Sequence, residues 1–233
     1  STATVAVEIT TPYSAVNIFE LQYAQDADTM YVTHTGHPVK KLTRSSHYLW
    51  SLAQVDFTGG PWMPDNFDTG AFYKASGSSG TVSIFASGNN SFVTAGSSSL
   101  SGSLLRIGTS NGYVRITSIS SSTVALGNVV QVLNSAAATK FTDDWALGAW
   151  SVANGFPTAV SFFEQRLYFA GTSAEPQTIW GSVPLDYENF TPGADDADAV
   201  SFTIADNQVN AIRWLAAGKA LAIGTLGGNF LLN

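Results

Sequence analysis

The sequence predicts an all-β protein: a partial β-propeller of consecutive antiparallel blades, interrupted by an inserted small β-barrel domain. Three observations carry this. Apolar residues fall in short runs bounded by Gly, Pro, Asn, Asp and Ser, which is the patterning of strands rather than helices. One strand–turn–strand outline recurs along the chain. Between its first and second occurrences the composition changes to Ser, Gly and Thr. The expected boundaries are 1–70 for the first part of the propeller region, 71–144 for the insert and 145–233 for the second part.

In chain order, Ser14 is placed to N-cap a short helical segment over 15–19. Residues 21–25 alternate apolar and polar, and 26–28 turn the chain. Residues 29–34 and 39–44 are strands around the turn 35–38, and 50–57 alternate again. Together they make a four-strand meander. Gly59-Gly60-Pro61 marks a boundary. In the Ser/Gly-rich stretch, strands are expected at 81–85, 103–107, 112–117 and 123–132, with turns at 76–80, 88–90 and 110–112. Residues 145–150 are apolar and aromatic. Strands follow at 157–163, 166–171 and 177–182, around a polar break at Glu164-Gln165, and 186–190 is a candidate fourth. Residues 200–204, 209–215 and 220–225 complete the visible pattern.

The recurrence gives a period. Tyr168 and Ala222 occupy equivalent places 54 residues apart, and Tyr31 and Tyr168 are equivalent at 137. The excess matches the length of the Ser/Gly-rich segment, so consecutive blades are expected with a domain inserted after the first. Three blades do not close a ring. Residues 1–7 read as a strand entered midway and 228–233 as one left midway, so the chain is expected to be a fragment of a longer polypeptide.

Bulk chemistry narrows function. Of 233 residues, 45% are hydrophobic and only 12% charged, so polarity rests on Ser, Thr, Asn, Gln and Gly. A net charge of −7 with ten Lys plus Arg leaves no basic stripe for gripping a phosphate backbone. The absence of Cys excludes disulfides, thiolate zinc sites and cysteine nucleophiles. No run approaches the roughly 18 apolar residues of a membrane span, and residues 1–7 have no signal-peptide features.

Candidate chemistry is sparse. His34, His37 and His47 fall in the first meander without a third metal ligand placed by sequence, and read as exposed turn residues. No nucleophile-elbow motif accompanies the many serines. Paired carboxylates, as in glycosidases, would draw on Glu164, Asp186, Glu188, Asp195, Asp196 and Asp198. Glu164 instead reads as a hairpin turn, and the three aspartates as a solvated loop lacking calcium-loop spacing. Lys40, Lys41 and Arg44 form the one basic cluster, split between strand faces. Trp180 and Trp214 read as packing between blades. No catalytic, cofactor or metal residue is assigned, and no cofactor is expected.

The segments ELQYAQDADTMYVTHTGHPVKKLTR, WALGAWSVANGFPTAVSFFEQRLYFAGTSAEPQTIWGSVPLDYENF and FTIADNQVNAIRWLAAGKALAIGT resemble the tail nozzle (tail tubular protein B-like, or stabilisation) proteins of short-tailed bacteriophages. The resemblance covers Ile9 to about Asp56 and Trp145 to the C-terminus, and is most specific from Phe156 to Phe190. It implies a non-enzymatic virion protein with a propeller body. Such a protein self-associates into a ring around the tail axis, contacts neighbouring tail proteins and forms part of the conduit through which DNA passes without specific binding. The insert resembles the small β-barrel called the first catalytic-cysteine half-domain-like fold, which has no cysteine chemistry to carry over here. The competing expectation is a phage protein that binds or degrades host-surface glycan; a generic propeller scaffold for protein partners is a third.

Overall fold

The computed structural model describes residues 7–93, 96, 99–205 and 209–232. The strand expected at residues 1–7 therefore lies, except for Val7, outside the described residues, as does Asn233. The protein is all-β. Its described residues form strands and one 3-10 turn, Ile18–Glu20, but no α-helix. Among the described residues no helix is long and apolar enough to cross a membrane. The chain divides into two compact units: residues 1–58 with 156–233, and Gly59–Gly155.

The first unit opens on a meander of β1 (Gln22–Asp26), β2 (Thr29–His34), β3 (His37–Ser46) and β4 (Leu49–Gln54), paired antiparallel in that order. The helical segment expected at 15–19 is instead the 3-10 turn three residues later. Asn17 precedes it without a side-chain cap, because its amide oxygen accepts from the Ser14 backbone N and hydroxyl.

The second unit forms one six-stranded sheet from β5 (Ala71–Ala75), β6 (Thr81–Gly88), β7 (Leu104–Ile107), β8 (Tyr113–Ile119), β9 (Val124–Gln131) and β10 (Trp145–Leu147). The order is β10-β7-β8-β9-β6-β5, all antiparallel, so the sheet is open in its strand ladders. Two hydrogen bonds between the main chains of Tyr73 and Thr142, each 3.0 Å, reach across from β5 to the chain entering β10. Val82, Ile84, Leu105, Ile107, Val114 and Ile116 alternate inward to build its core. The unit is wider than the expected 71–144. Met63 N and Asn66 N donate to Leu147 and Trp145 of the edge strand β10, which ties both flanks of the insert into its own sheet. The Asn111-Gly112 signal sits in a loop of five residues between β7 and β8, not in a two-residue hairpin.

The first unit resumes with β11 (Ala159–Phe163), β12 (Arg166–Ala170), β13 (Thr178–Gly181) and β14 (Val200–Thr203), again paired in sequence order. The fourth strand is therefore Val200–Thr203; residues 186–190 instead belong to a turn bridged by Val183 and Asp186. β15 (Ile212–Ala217), β16 (Leu221–Thr225) and β17 (Asn229–Leu232) form a third meander. Tyr31, Tyr168 and Ala222 each lie on the second strand of a meander. β11 packs against β1 and β2 on one side and β15 on the other. Every residue of β12 is buried, and Ile179 with Ala159 faces Ile212, Leu215 and Ile223 of the third meander. A strand covered on both faces has no polar side, which is why Leu167-Tyr168-Phe169-Ala170 is continuously apolar. Each such fully buried large side chain contributes about 1.5–3 kcal/mol.

Thr158 stitches the three meanders together. Its carbonyl accepts from the fully buried Thr33 hydroxyl at 3.1 Å, and its own hydroxyl lies 3.1 Å from Ala170 O and 3.3 Å from Ile212 O.

Candidate functional site

The sequence candidates separate into three structural roles. Glu188 is a strut. The Tyr31 hydroxyl donates to its Oε1 at 2.8 Å and Lys41 Nζ at 2.5 Å, so a residue of the second meander is tied to two strands of the first. Burial, then the Glu188 carboxylate, push the Tyr31 phenol upward. Two main-chain bonds reinforce the join, Thr58 N to Glu188 O and Phe190 N to Thr58 O. Lys41, from the basic cluster, is thus neutralised locally. Arg44 likewise pairs with Asp28 at 2.6 Å and lies over the Trp50 ring.

The acidic loop is anchored through its backbone. Arg166 is 9% exposed, and its guanidinium donates to the carbonyls of Ser182, Asp198 and Asp196. The main chain of 195–198 is drawn inward while Asp195 and Asp196 stay exposed. The Asp198 carboxylate caps the loop by accepting from Asp195 N at 2.9 Å. A basic residue at the start of β12 was not singled out in the sequence, although an Arg opening an otherwise apolar run is the signal that marks it.

Glu164 and Gln165 form the tight turn between β11 and β12, both with positive φ, 44° and 64°, as a two-residue type I′ hairpin requires. Leu185 N donates to Gln165 O at 2.7 Å, which brings the 183–186 turn beside it. Asp186 accepts from the Asn189 amide at 3.0 Å. The turns after β1, β11 and β13 thereby gather at one end of the unit, and Asp26, Glu164, Asp186, Asp195 and Asp196 all lie there, exposed or half-buried.

Two of the three histidines differ from expectation. His34 is only 5% exposed, because the register slips after Val32 and the 3-10 turn folds over it. Gly36 N donates to its Nδ1 at 2.9 Å, and its Nε2 lies 3.1 Å from both Glu20 Oε2 and the Asn17 amide nitrogen. His37 is half-buried with its ring 5.0 Å from that of His34; burial, then His34 and Lys40, hold it below the usual imidazole range. His47 is exposed at the β3–β4 turn. No three His, Asp or Glu residues among those described converge as metal ligands.

Trp180 is 1% exposed and fills the interior as expected. Trp214 does not: it is 40% exposed and covers Gly224 on the neighbouring strand, where an added Cβ would fall 1.9 Å from the indole. The glycine leaves a groove on its own sheet that the indole occupies.

No family model matches this chain, and no curated protein matches it.

Proposed function

We propose that this chain is a structural, non-catalytic component of the tail of a short-tailed phage. Its first unit forms part of a β-propeller, the six-stranded unit is a half-closed barrel inserted between blades, and copies assemble as a ring around the conduit through which DNA leaves. It acts by docking: to itself, to neighbouring tail proteins and to the rest of the propeller. It is assembled in the host cytoplasm and resides in the virion.

The observation that carries this reading is the stacking of three consecutive meanders through their first strands, β1 against β11 and β11 against β15. Such stacking supports a radial arrangement of blades about a propeller axis, since one blade cannot bury both faces alone. The roles of two charged residues agree: Glu188, a sequence candidate, and Arg166 both hold elements together, which is the economy of a scaffold. The acidic end of the unit supports passage of DNA rather than its capture, since carboxylates repel phosphates. Its loop at 195–198 lies between β13 and β14, the strands farthest from β11, so the axis it would face is that of a ring of subunits, not that of the propeller.

Electron microscopy of the full-length protein tests this. Closed rings with Asp195, Asp196 and Asp198 toward the lumen are expected. A monomer that turns over host glycan, with turnover abolished by Glu164→Gln or Asp186→Asn, overturns it.

A further inference from the structure

The turn between β1 and β2, the turn between β11 and β12, and the segment leading to Tyr187 enclose an open cleft of about 350 Å³. Asp26, Glu164, Gln25, Gln165, Phe162 and Tyr187 line it. The described chain has four non-glycine residues with positive φ, Ala27, Glu164, Gln165 and Leu185. All four lie in these bounding turns. Elsewhere the described chain meets left-handed geometry with glycine, as at Gly80 and Gly171; here it keeps side chains in a conformation that disfavours them.

The lining has a definite chemistry. Asp26 and Glu164 take part in none of the ion pairs among the described residues. The cation in the wall, Arg166, has its guanidinium turned away to the carbonyls of Ser182, Asp196 and Asp198. The Gln25 amide donates back to Ala27 O at 2.9 Å. The rings of Phe162 and Tyr187 stand edge to face with centroids 4.9 Å apart. The cleft therefore offers acceptors, negative charge and aromatic surface.

An anion is repelled by this lining, and a neutral sugar draws no Coulombic attraction from it. A guanidinium or ammonium group meets all three features: it donates to the carboxylates, neutralises them and packs on the rings. We infer that this cleft receives an arginine or lysine side chain presented by a segment of a partner protein. The inference goes beyond the assembly reading and does not rest on it, since it depends only on the cleft.

The test uses the isotope-labelled chain and three probes: acetyl-Gly-Arg-Gly-amide, the same peptide with citrulline in place of arginine, and maltotriose. The arginine peptide is expected to give saturable amide shifts confined to residues 25–27, 162–166 and 187, weakening as salt is raised. Citrulline, which has the shape without the charge, should bind at least about tenfold more weakly, as should the arginine peptide to the Asp26→Asn/Glu164→Gln variant. Both substitutions are at exposed positions, so the thermal midpoint of that variant should match the wild type; the conservative pair Asp26→Glu/Glu164→Asp should retain binding. Equal binding of the citrulline peptide, undiminished binding by the neutral variant, or shifts spread without saturation over 195–198 would each overturn the inference. Saturation by maltotriose alone would make the cleft a sugar site instead.

Discussion

Replacing Glu188 by Ala removes the acceptor shared by Tyr31 and Lys41. Tyr31 is 4% exposed, so its hydroxyl cannot turn to bulk water. A buried donor left without a partner costs about 1–2 kcal/mol. The Lys41–Glu188 pair is 29% and 30% exposed, so solvent screening limits its share to about 0.5–1 kcal/mol. The expected loss is about 1.5–3 kcal/mol, or a fall of about 3–12 °C in midpoint at about 2–4 °C per kcal/mol. Glu188→Gln keeps an acceptor for Tyr31 and loses only the charge, and should cost about 0.5–1 kcal/mol. Urea unfolding followed by circular dichroism measures both. A double-mutant cycle with Tyr31→Phe should return a coupling of about 1 kcal/mol. Wild-type stability in Glu188→Ala, or a coupling near zero, would refute the strut and return Glu188 to the list of free carboxylates.

Three further outcomes are expected. Gly181→Ala should destabilise by about 1–3 kcal/mol, because its Cβ would fall 2.7 Å from the Tyr168 ring and 2.8 Å from Val200, both held between sheets; thermal melts read this directly. Acidification should weaken the first unit. His37 is held below its unfolded value, so between its folded value and about 6.5 the unfolded chain binds more protons. That contribution is complete above the unfolded value and is lost as pH falls through the window, and His37→Asn should flatten the slope of stability against pH. Arg166→Lys keeps the charge but not the planar fork. Hydrogen exchange at 196–200 should accelerate, whereas unchanged protection would mean that the loop holds itself.

Much of the fold was legible because β patterning is local. β2 falls on the expected residues, and β11, β12 and β13 within one or two residues of theirs, since β-branched and aromatic runs between turn residues define both ends of a strand. β5 was missed: Ala71-Phe72-Tyr73-Lys74-Ala75 is short, follows a boundary signal and alternates only once with a charge. Residues 186–190, the candidate fourth strand, instead leave a turn bridged by Val183 and Asp186, from which the rings of Tyr187 and Phe190 pack on Phe162 and Phe57. Site residues were less legible, since the partners of Glu188 lie more than 140 positions away. The burial of His34 has a shorter cause, a register slip that no residue type announces. Trp214 went the other way, because a tryptophan can cover a glycine on its own sheet as well as fill a space between sheets.

The insertion of residues 59–155 between β4 and β11 also sets an order of events during synthesis. The β1–β4 meander leaves the ribosome before the strand that covers it, β11, which follows about a hundred residues later. At roughly 5–20 residues per second the delay is of the order of 5–20 s. The six-stranded unit is contiguous and can finish folding within that interval. For those seconds the sides of Tyr31 and Thr33 that meet Phe162 and Thr158 lack that cover, which opens the first meander to chaperone capture or to pairing with another nascent copy.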